Sequence, residues 1–512
     1  MKEICKIMSQ TTNRIAANTI IMYIRMLFLM CITFFTSRLL LKTLGVEDFG
    51  IQSVVGSVAA TFVSLKTLFS ESVQRFLNFE KGKNSLDGQR AVFSVSIVIH
   101  ILLAFSFVVV VGFAGHWLIE HKLSIPSEKM GTALFVFYMS IISIFISIFS
   151  VPYDAVIIAN EKMGVYAIIT IIDGILKLIA VLLLPILPFE MLRSYVVLLI
   201  AIPAFTLSYQ LIYCRRFEEC RFIKDISKKY VKEIFSLSGW NFMGNISFSL
   251  VHEGVNMLLN MFGGLVFNAS RTVAYQVRIM TGHLSNNTLI AVRPQIMQQA
   301  ASEDKEKLFG NICAISRISF FTSLFPVIVL FPYTGQILDI WLVDVPEYAA
   351  LFTRLLLICV VVRSLHEPFN MLYMAFGRIK RMMLVETGIM LFYLLVYYLS
   401  LKGGLSIWVP FVEMIIMEFT IIIGLYFNAL SEFKLDGTVY YKKVLMPLLS
   451  CCFYSSVICT LFMAFLKTNN PFLSVVYSIL TGALYCVVAY LHFDNREKEL
   501  VTTLLQRFIH KK

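Results

Sequence analysis

Apolar residues along this chain gather into long blocks separated by short polar stretches. Fourteen blocks stand out, at about 15–41, 49–70, 91–113, 131–151, 164–187, 194–213, 239–261, 265–289, 308–330, 348–366, 383–401, 405–427, 444–466 and 472–492. Most run for roughly 18–25 residues with few charges, the length that crosses the hydrocarbon core of a bilayer as helix. The pattern predicts an all-α polytopic membrane protein with about fourteen transmembrane helices. The first block, about Ile15–Leu41, is too long for the apolar core of a cleavable signal and is followed by no small-x-small cleavage site.

Lys and Arg set the orientation. With the N-terminus inside, the inner segments hold roughly 29 basic residues and the outer ones 6, counting only those outside the blocks. That asymmetry is the positive-inside rule, and it places both termini in the cytoplasm. The outer stretch 331–347 has no Lys or Arg, but carries Asp339, Asp344 and Glu347. The richest inner stretch is 214–238, whose end, Tyr230–Leu237, is expected on the membrane surface.

Two gap-free matches reveal a duplication. Leu40-Leu41-x-x-x-Gly45-x-x-x-Phe49 repeats as Leu258-Leu259-x-x-x-Gly263-x-x-x-Phe267, an offset of 218. Pro152-Tyr153-Asp154 with Ala159 and Lys162 repeats as Pro368-Phe369-Asn370 with Ala375 and Arg378, an offset of 216. The unit is six spans. Six is even, so both copies have one orientation, related by an axis along the membrane normal. The expected organisation is an N-terminal six-helix bundle (1–214), a basic cytoplasmic linker (215–238), a second six-helix bundle (239–430), two extra helices (431–493) and a basic tail (494–512).

Composition narrows the function classes. At 58% hydrophobic and 15% charged, with mean hydropathy +0.78, the chain is no soluble enzyme, coiled coil or disulfide scaffold. Net charge +12 belongs to the inner loops and gives no argument for nucleic acid. The ten cysteines lie mostly inside apolar blocks and read as packing residues. Outer loops are too short for a catalytic domain. No acidic metal cluster and no G-x-x-x-x-G-K-[ST] loop occurs, so neither a lipid-sugar polymerase nor an ATPase is expected, and no cofactor or metal.

Polar side chains inside the bilayer mark pathways or interhelical locks. Span 2 has Ser53, Ser57, Ser64, Glu71, Arg75 and Asn78 near one face; span 8 has Arg271, Tyr275, Arg278 and Ser285. The offset of 218 sets Arg271 on Ser53 and Tyr275 on Ser57. Span 7 shows Asn245, Ser249, His252 and Asn256, with Glu253 beside them, and span 1 shows Arg14, Asn18 and Arg25. These faces predict a cationic cavity between the halves. Its expected substrate-binding residues are Arg25, Arg271, Arg278, Lys66, Arg75 and Tyr275. Its polar lining is Asn18, Ser53, Ser57, Asn245, His252 and Asn256. Asp173 and Glu253 are the coupling candidates, although Asp173 and Lys177 at i, i+4 also suit a self-neutralising pair. In the second half Arg317, Arg354, Arg363, Glu386, Glu413 and Glu418 are set to pair across helices. Spans 13 and 14 carry no Asp, Glu, Lys or Arg from Val444 to Leu466 or from Pro471 to His492, and offer apolar surface.

Several local motifs resemble one family. They are Leu44-Gly45-x-Glu47-Asp48-Phe49-Gly50, Ser72-x-Gln74-Arg75-Phe76, Ala159-Asn160-Glu161-Lys162-Met163, Gly239-Trp240-Asn241, Gly254-Val255-Asn256-x-Leu258-Leu259-Asn260 and Ala274-Tyr275-Gln276-Val277. Together they are similar to the Wzx-type O-antigen and lipopolysaccharide-repeat flippases of the multidrug/oligosaccharidyl-lipid/polysaccharide (MOP) exporter superfamily. The resemblance covers about 1–310 by motif and continues to about 430 by hydropathy. It departs at Arg293-Pro294, where the family often has Asn before the proline. It implies a MATE-like fold in the bacterial inner membrane. The implied activity is translocation of an undecaprenyl-pyrophosphate-linked oligosaccharide from the inner to the outer leaflet, alongside membrane lipids and polysaccharide polymerase machinery. The alternative is a MATE-type cation or drug antiporter, which would need an acidic cavity.

Overall fold

The computed structural model is nearly all helix. It describes residues 2–60, 63–160, 162–224, 227–282, 305–376, 378–433, 435–466, 468, 470–494 and 498. Side chains are described over the same stretches apart from 1–24, 58–71, 82, 235–246, 305–307, 375, 379 and 471. Asn18, Lys66 and Asn245 therefore lie outside the described side chains.

In chain order the helices are α1 (Lys2–Ala60), α2 (Val63–Gly82), α3 (Leu86–His121), α4 (Ser127–Phe149), α5 (Val151–Ala159), α6 (Met163–Leu183), α7 (Met191–Cys214), α8 (Lys228–Gly263) and α9 (265–282). There follow α10 (Lys305–Leu330), α11 (Thr334–Trp341), α12 (Ala349–Arg363), α13 (His366–Ala375), α14 (Ile379–Lys402), α15 (Val409–Phe433), α16 (Gly437–Tyr440), a π-helical turn at Tyr441–Leu445, α17 (Met446–Phe465) and α18 (Pro471–Leu491). Among the described residues, eleven segments are long and apolar enough to cross a membrane. They correspond to expected spans 1, 3–6 and 9–14. The other three expected spans fall on helix wherever they are described, at the end of α1 with α2, in α8 and in α9. The protein is a multi-pass membrane protein.

Glycine and proline explain where the helices break. At 59 residues, α1 would be about 88 Å long, nearly three hydrocarbon cores. It turns at Gly45, with φ 77° and ψ 174°. Gly264, after α8, has φ 89° and ψ −171°. Both lie in a backbone region essentially reserved for glycine, and the two conformations are nearly the same. The duplication is thus visible in the backbone, with a correction. The structural partner of Gly45 is Gly264 and not Gly263, so the offset here is 219 and Arg271 falls on Gln52. Spans 4 and 10 are broken as well, at Ser150 between α4 and α5 and at Ser364–Leu365 between α12 and α13. The repeated Pro152 and Pro368 account for it. Proline has no N–H for the carbonyl four residues earlier and its ring collides with that carbonyl. For Pro368 that carbonyl belongs to Ser364, and the Ser319 hydroxyl of α10 donates to it at 3.0 Å.

The chain divides into two compact units, residues 1–269 and 270–512. In the first, Val73 and Leu77 of α2, Val92 and Phe93 of α3 and Ala155, Val156 and Ala159 of α5 form one buried cluster. Over Tyr230–Leu237, the segment expected on the membrane surface, α8 runs on from Lys228 without a break. Its fully buried Ile234 packs on Val95 and Ile99 of α3, and Tyr230 meets Phe76 of α2 edge-on. In the second unit the inner helices are those of spans 9 and 10. Their apolar windows are 72% and 67% buried, against 22–39% for the unit's other candidate spans. Spans 13 and 14 turn Leu449, Phe453, Phe472 and Val487 outward. They also supply hydroxyls, which the charge count alone does not suggest. Tyr485 donates to the Phe321 carbonyl of α10 at 2.8 Å, and Gly482 lets α18 sit against Val329.

Candidate functional site

Among the described side chains, the first unit holds an arginine deep in a span. Arg25 on α1 stands 5.3 Å from the ring centre of Tyr166 on α6, and its Nε is buried without a hydrogen-bond partner among the described residues. Two carboxylates of this unit's spans are engaged. Asp154 of α5 accepts a 2.6 Å hydrogen bond from Gln210 of α7. Asp173 meets Lys177 at 2.6 Å, one turn along α6.

Span 7 is locked by asparagines. Asn256 donates to the carbonyl and hydroxyl of Ser53, both at 3.2 Å. Asn268 donates to the Asn256 carbonyl at 2.7 Å and to its side chain at 2.9 Å. Asn260 donates to Asn268 at 3.0 Å and accepts from the Ser124 backbone at 2.8 Å. Buried amides that satisfy one another hold helices in register. Here they tie α8 to the half of α1 beyond Gly45 and to the α3–α4 turn. Among the expected lining residues, the structure thus joins Ser53 to Asn256. Ser57 is buried and donates to its own helix at Val54. His252 is buried and meets the ring of Phe248 edge-on, at 4.3 Å between centres. Glu253 is half-buried, and Arg75 is exposed on α2.

The second unit concentrates the charge. Arg271 and Arg278 are each 7% exposed and flank Tyr275, with guanidinium carbons 5.2 and 5.5 Å from its ring centre. Seven residues of helix set them about 10.5 Å apart along the axis. Arg278 lies 3.8 Å from Glu418 of α15, which also receives Arg363 of α12 at 3.1 Å. Arg363 reaches Glu367 at 4.0 Å. Glu367 lies 3.8 Å from its neighbour His366, whose other ring nitrogen meets Glu386 of α14. Elsewhere Glu413 accepts from Ser400, and Arg317 donates to the Lys443 carbonyl at 2.7 Å and pairs with Asp494 at 3.4 Å. Arg354 donates to the Phe331 carbonyl at 3.2 Å.

Of the charged residues expected to pair across helices, Arg363 and Glu418 meet each other, while Arg317, Arg354, Glu386 and Glu413 meet groups outside that set. The sequence does not single out His366 or Glu367, and marks Asp154 only as part of the repeat, although all three stand in or beside the repeated proline motif. Among the described residues no group of three or more His, Cys, Asp or Glu is arranged to hold a metal ion.

No family model and no curated protein matches the sequence. Solved structures do match. One is a lipid II flippase MurJ in an inward closed conformation: TM-score 0.69, 15% identity, covering 94% of this chain and 100% of that one. A second is a multidrug resistance MATE family transporter of the MOP superfamily in an inward-facing conformation: TM-score 0.68, 14% identity, covering 78% and 94%. A third is a MOP superfamily transporter from Pyrococcus furiosus described as having a binding pocket of reverse polarity: TM-score 0.57, 13% identity, covering 82% and 96%. The chain has the MOP fold, two six-helix repeats with two further helices.

Proposed function

We propose that this protein is a flippase of the Wzx type. It moves an undecaprenyl-pyrophosphate-linked oligosaccharide, such as an O-antigen, lipopolysaccharide or capsule repeat, from the inner to the outer leaflet of the bacterial inner membrane, with both termini cytoplasmic. The observation that carries this reading is the pair of buried arginines around Tyr275. A pyrophosphate is the part of such a lipid that resists the bilayer, and guanidinium binds phosphate through two parallel hydrogen bonds. Arg25 supplies a further buried donor. Alternating access then suffices, because no bond is made or broken, and the polyprenyl tail stays in lipid beside spans 13 and 14. Polysaccharide polymerase machinery is the expected consumer of the delivered repeat.

The rival reading, a cation or drug antiporter, needs carboxylates open to a cationic ligand. Asp154 and Asp173 instead hold Gln210 and Lys177. Coverage also favours the flippase. The MurJ match leaves about 6% of this chain unaligned, too little to omit the last 82 residues. The test is glycan export per folded protein after Arg25→Ala, Arg271→Ala and Arg278→Ala. Losing a charge-assisted pair worth about 2–3 kcal/mol lowers affinity roughly 30- to 150-fold, and Arg271→Lys restores only part of it. Normal export per folded protein in all three Ala variants would refute the assignment.

A further inference from the structure

Both copies of the repeat are broken at a proline, yet only the second break carries ionisable side chains immediately before it; in the first, Asp154 follows the proline and accepts from Gln210. Carrying the offset of 216 two residues upstream sets His366 and Glu367 on Ser150 and Val151. The break therefore does not itself require a charged pair.

His366 opens α13 and is 1% exposed. Its Nε2 faces a carboxylate oxygen of Glu386 and its Nδ1 lies 3.8 Å from Glu367, but neither nitrogen completes a hydrogen bond of good geometry. Four long helices pack on α13. From α12 comes Arg363, from α14 Glu386 and from α15 Glu418, with Arg278 of α9 behind Glu418. Farther along α15, Glu413 is occupied by Ser400. On α10, Arg317 is engaged with the Lys443 carbonyl and Asp494, and Ser319 serves the Ser364 carbonyl.

The charges decide what this corner can bind. Two arginines and three glutamates sum to −1 while His366 is neutral. An uncompensated anion is costly at such depth. One proton on the imidazole brings the sum to zero, and histidine is the side chain whose proton comes and goes near neutral pH. Contacts of 3.1–4.0 Å then run from His366 through Glu367, Arg363 and Glu418 to Arg278. Gain or loss of that proton is felt on α12, α13, α14, α15 and α9 together.

We propose that His366, with Glu386 and Glu367, forms a proton-binding site in the second unit. The proton enters a ring-nitrogen lone pair and leaves by the same route, and no other bond changes. Its use as the coupling ion of transport rests on the flippase reading, whereas the binding does not.

The test uses the full-length protein in lipid nanodiscs, labelled with ¹⁵N-histidine and titrated by NMR from about pH 5 to 9, the range in which imidazoles switch. His366→Gln assigns the signal. The site predicts one protonation step for His366. Glu386→Gln lowers its midpoint by a unit or more, a tenfold loss of proton affinity, and Arg363→Gln raises it. Should Glu386→Gln fail to fold, Glu386→Asp gives a smaller shift in the same direction. A His366 fixed in one state across the range, unmoved by these changes, overturns the proposal and leaves a structural lock. So does a midpoint that moves with sodium concentration, which would make the glutamates a metal-cation site. A His366 that titrates as expected in a protein that moves no lipid-linked glycan counts against the flippase reading alone.

Discussion

Glu418 is the residue whose loss the second unit should tolerate least. It is 1% exposed and answers two arginines, Arg363 at 3.1 Å and Arg278 at 3.8 Å. With an effective dielectric of about 20, the gross attraction is about 5 kcal/mol across the shorter gap and about 4 across the longer. Desolvation offsets much of this. Removing one partner of a buried pair nonetheless costs about 3–5 kcal/mol, because the other charge is left uncompensated. Glu418→Gln strands two cations at once, and they repel. Arg363→Gln or Arg278→Gln strands none at this position, since Glu418 keeps the other arginine. The expected order of damage is therefore Glu418→Gln first, with either arginine variant clearly milder. For Glu418→Gln the folded fraction should fall roughly 150- to 5,000-fold relative to the unfolded state. Fluorescence-detected size-exclusion chromatography and thermal inactivation in one detergent measure this on all three variants. A Glu418→Gln protein as abundant as wild type, or hardier than Arg278→Gln, would show that the charges are not coupled as described.

Other outcomes follow from single features. Gly45→Ala forces a Cβ into the glycine-only backbone region and should cost about 1–3 kcal/mol, seen as lower abundance of folded protein; Gly264→Ala should behave alike. Gly50→Leu should be worse than Gly50→Ala, because even the first added carbon would lie 2.5 Å from the Leu265 carbonyl oxygen; thermal inactivation ranks the two. Reporter fusions after residues 225 and 510 should read cytoplasm, and one after 338 periplasm. Asp436 caps α16 by accepting the Thr438 hydroxyl and backbone N–H, both at 2.8 Å, and these bonds, the hydroxyl first, hold its carboxyl below the usual carboxylate range. A depressed carboxyl contributes fully above its unfolded pKa and loses that contribution as pH falls through the folded value. Protection of the Thr438 amide, relative to its intrinsic exchange rate, should fall on that acid side, and Asp436→Ala should lack that protection above it and match the wild type below it.

Much of the architecture was legible because its causes are local. Span length reflects bilayer thickness, so apolar runs report it directly. Gly45 and Pro152 act on their own backbone, which made the duplication readable from their copies. The one-residue slip at Gly264 escaped because gap-free matching cannot register an inserted residue. The charges were half legible. Arg271 and Arg278 stood out as ions in a span, but Glu418 lies 140 residues along the chain from Arg278, and only packing reveals that they meet. His366-Glu367 did carry a signal, two ionisable residues beside a repeated proline in an apolar block. The family-like motifs have a different lesson. Asp48 pairs with Lys129 at 2.9 Å, and Asn160 bridges Lys81 and Glu219 at 2.7 and 2.6 Å. Asn256 and Asn260 sit in the amide chain of span 7. These residues fasten helices, so resembling them speaks to the fold and leaves the sugar unnamed.

Pro152 and Pro368 carry a chronology. A proline at the same place in both copies, with a helix broken at each, is most simply inherited from one ancestral half that already had the interruption. The chemistry beside it was not inherited unchanged, because Ser150-Val151 and His366-Glu367 differ in every respect that matters to a proton. The bend is therefore older than the specialisation of the halves. An ancestral pair of identical subunits would have carried two equal bends and no difference between them. Once both were fused in one chain, one could be tuned for charge while the other kept its shape. Grafting His366-Glu367 onto positions 150 and 151 would return the molecule part of the way to that symmetry.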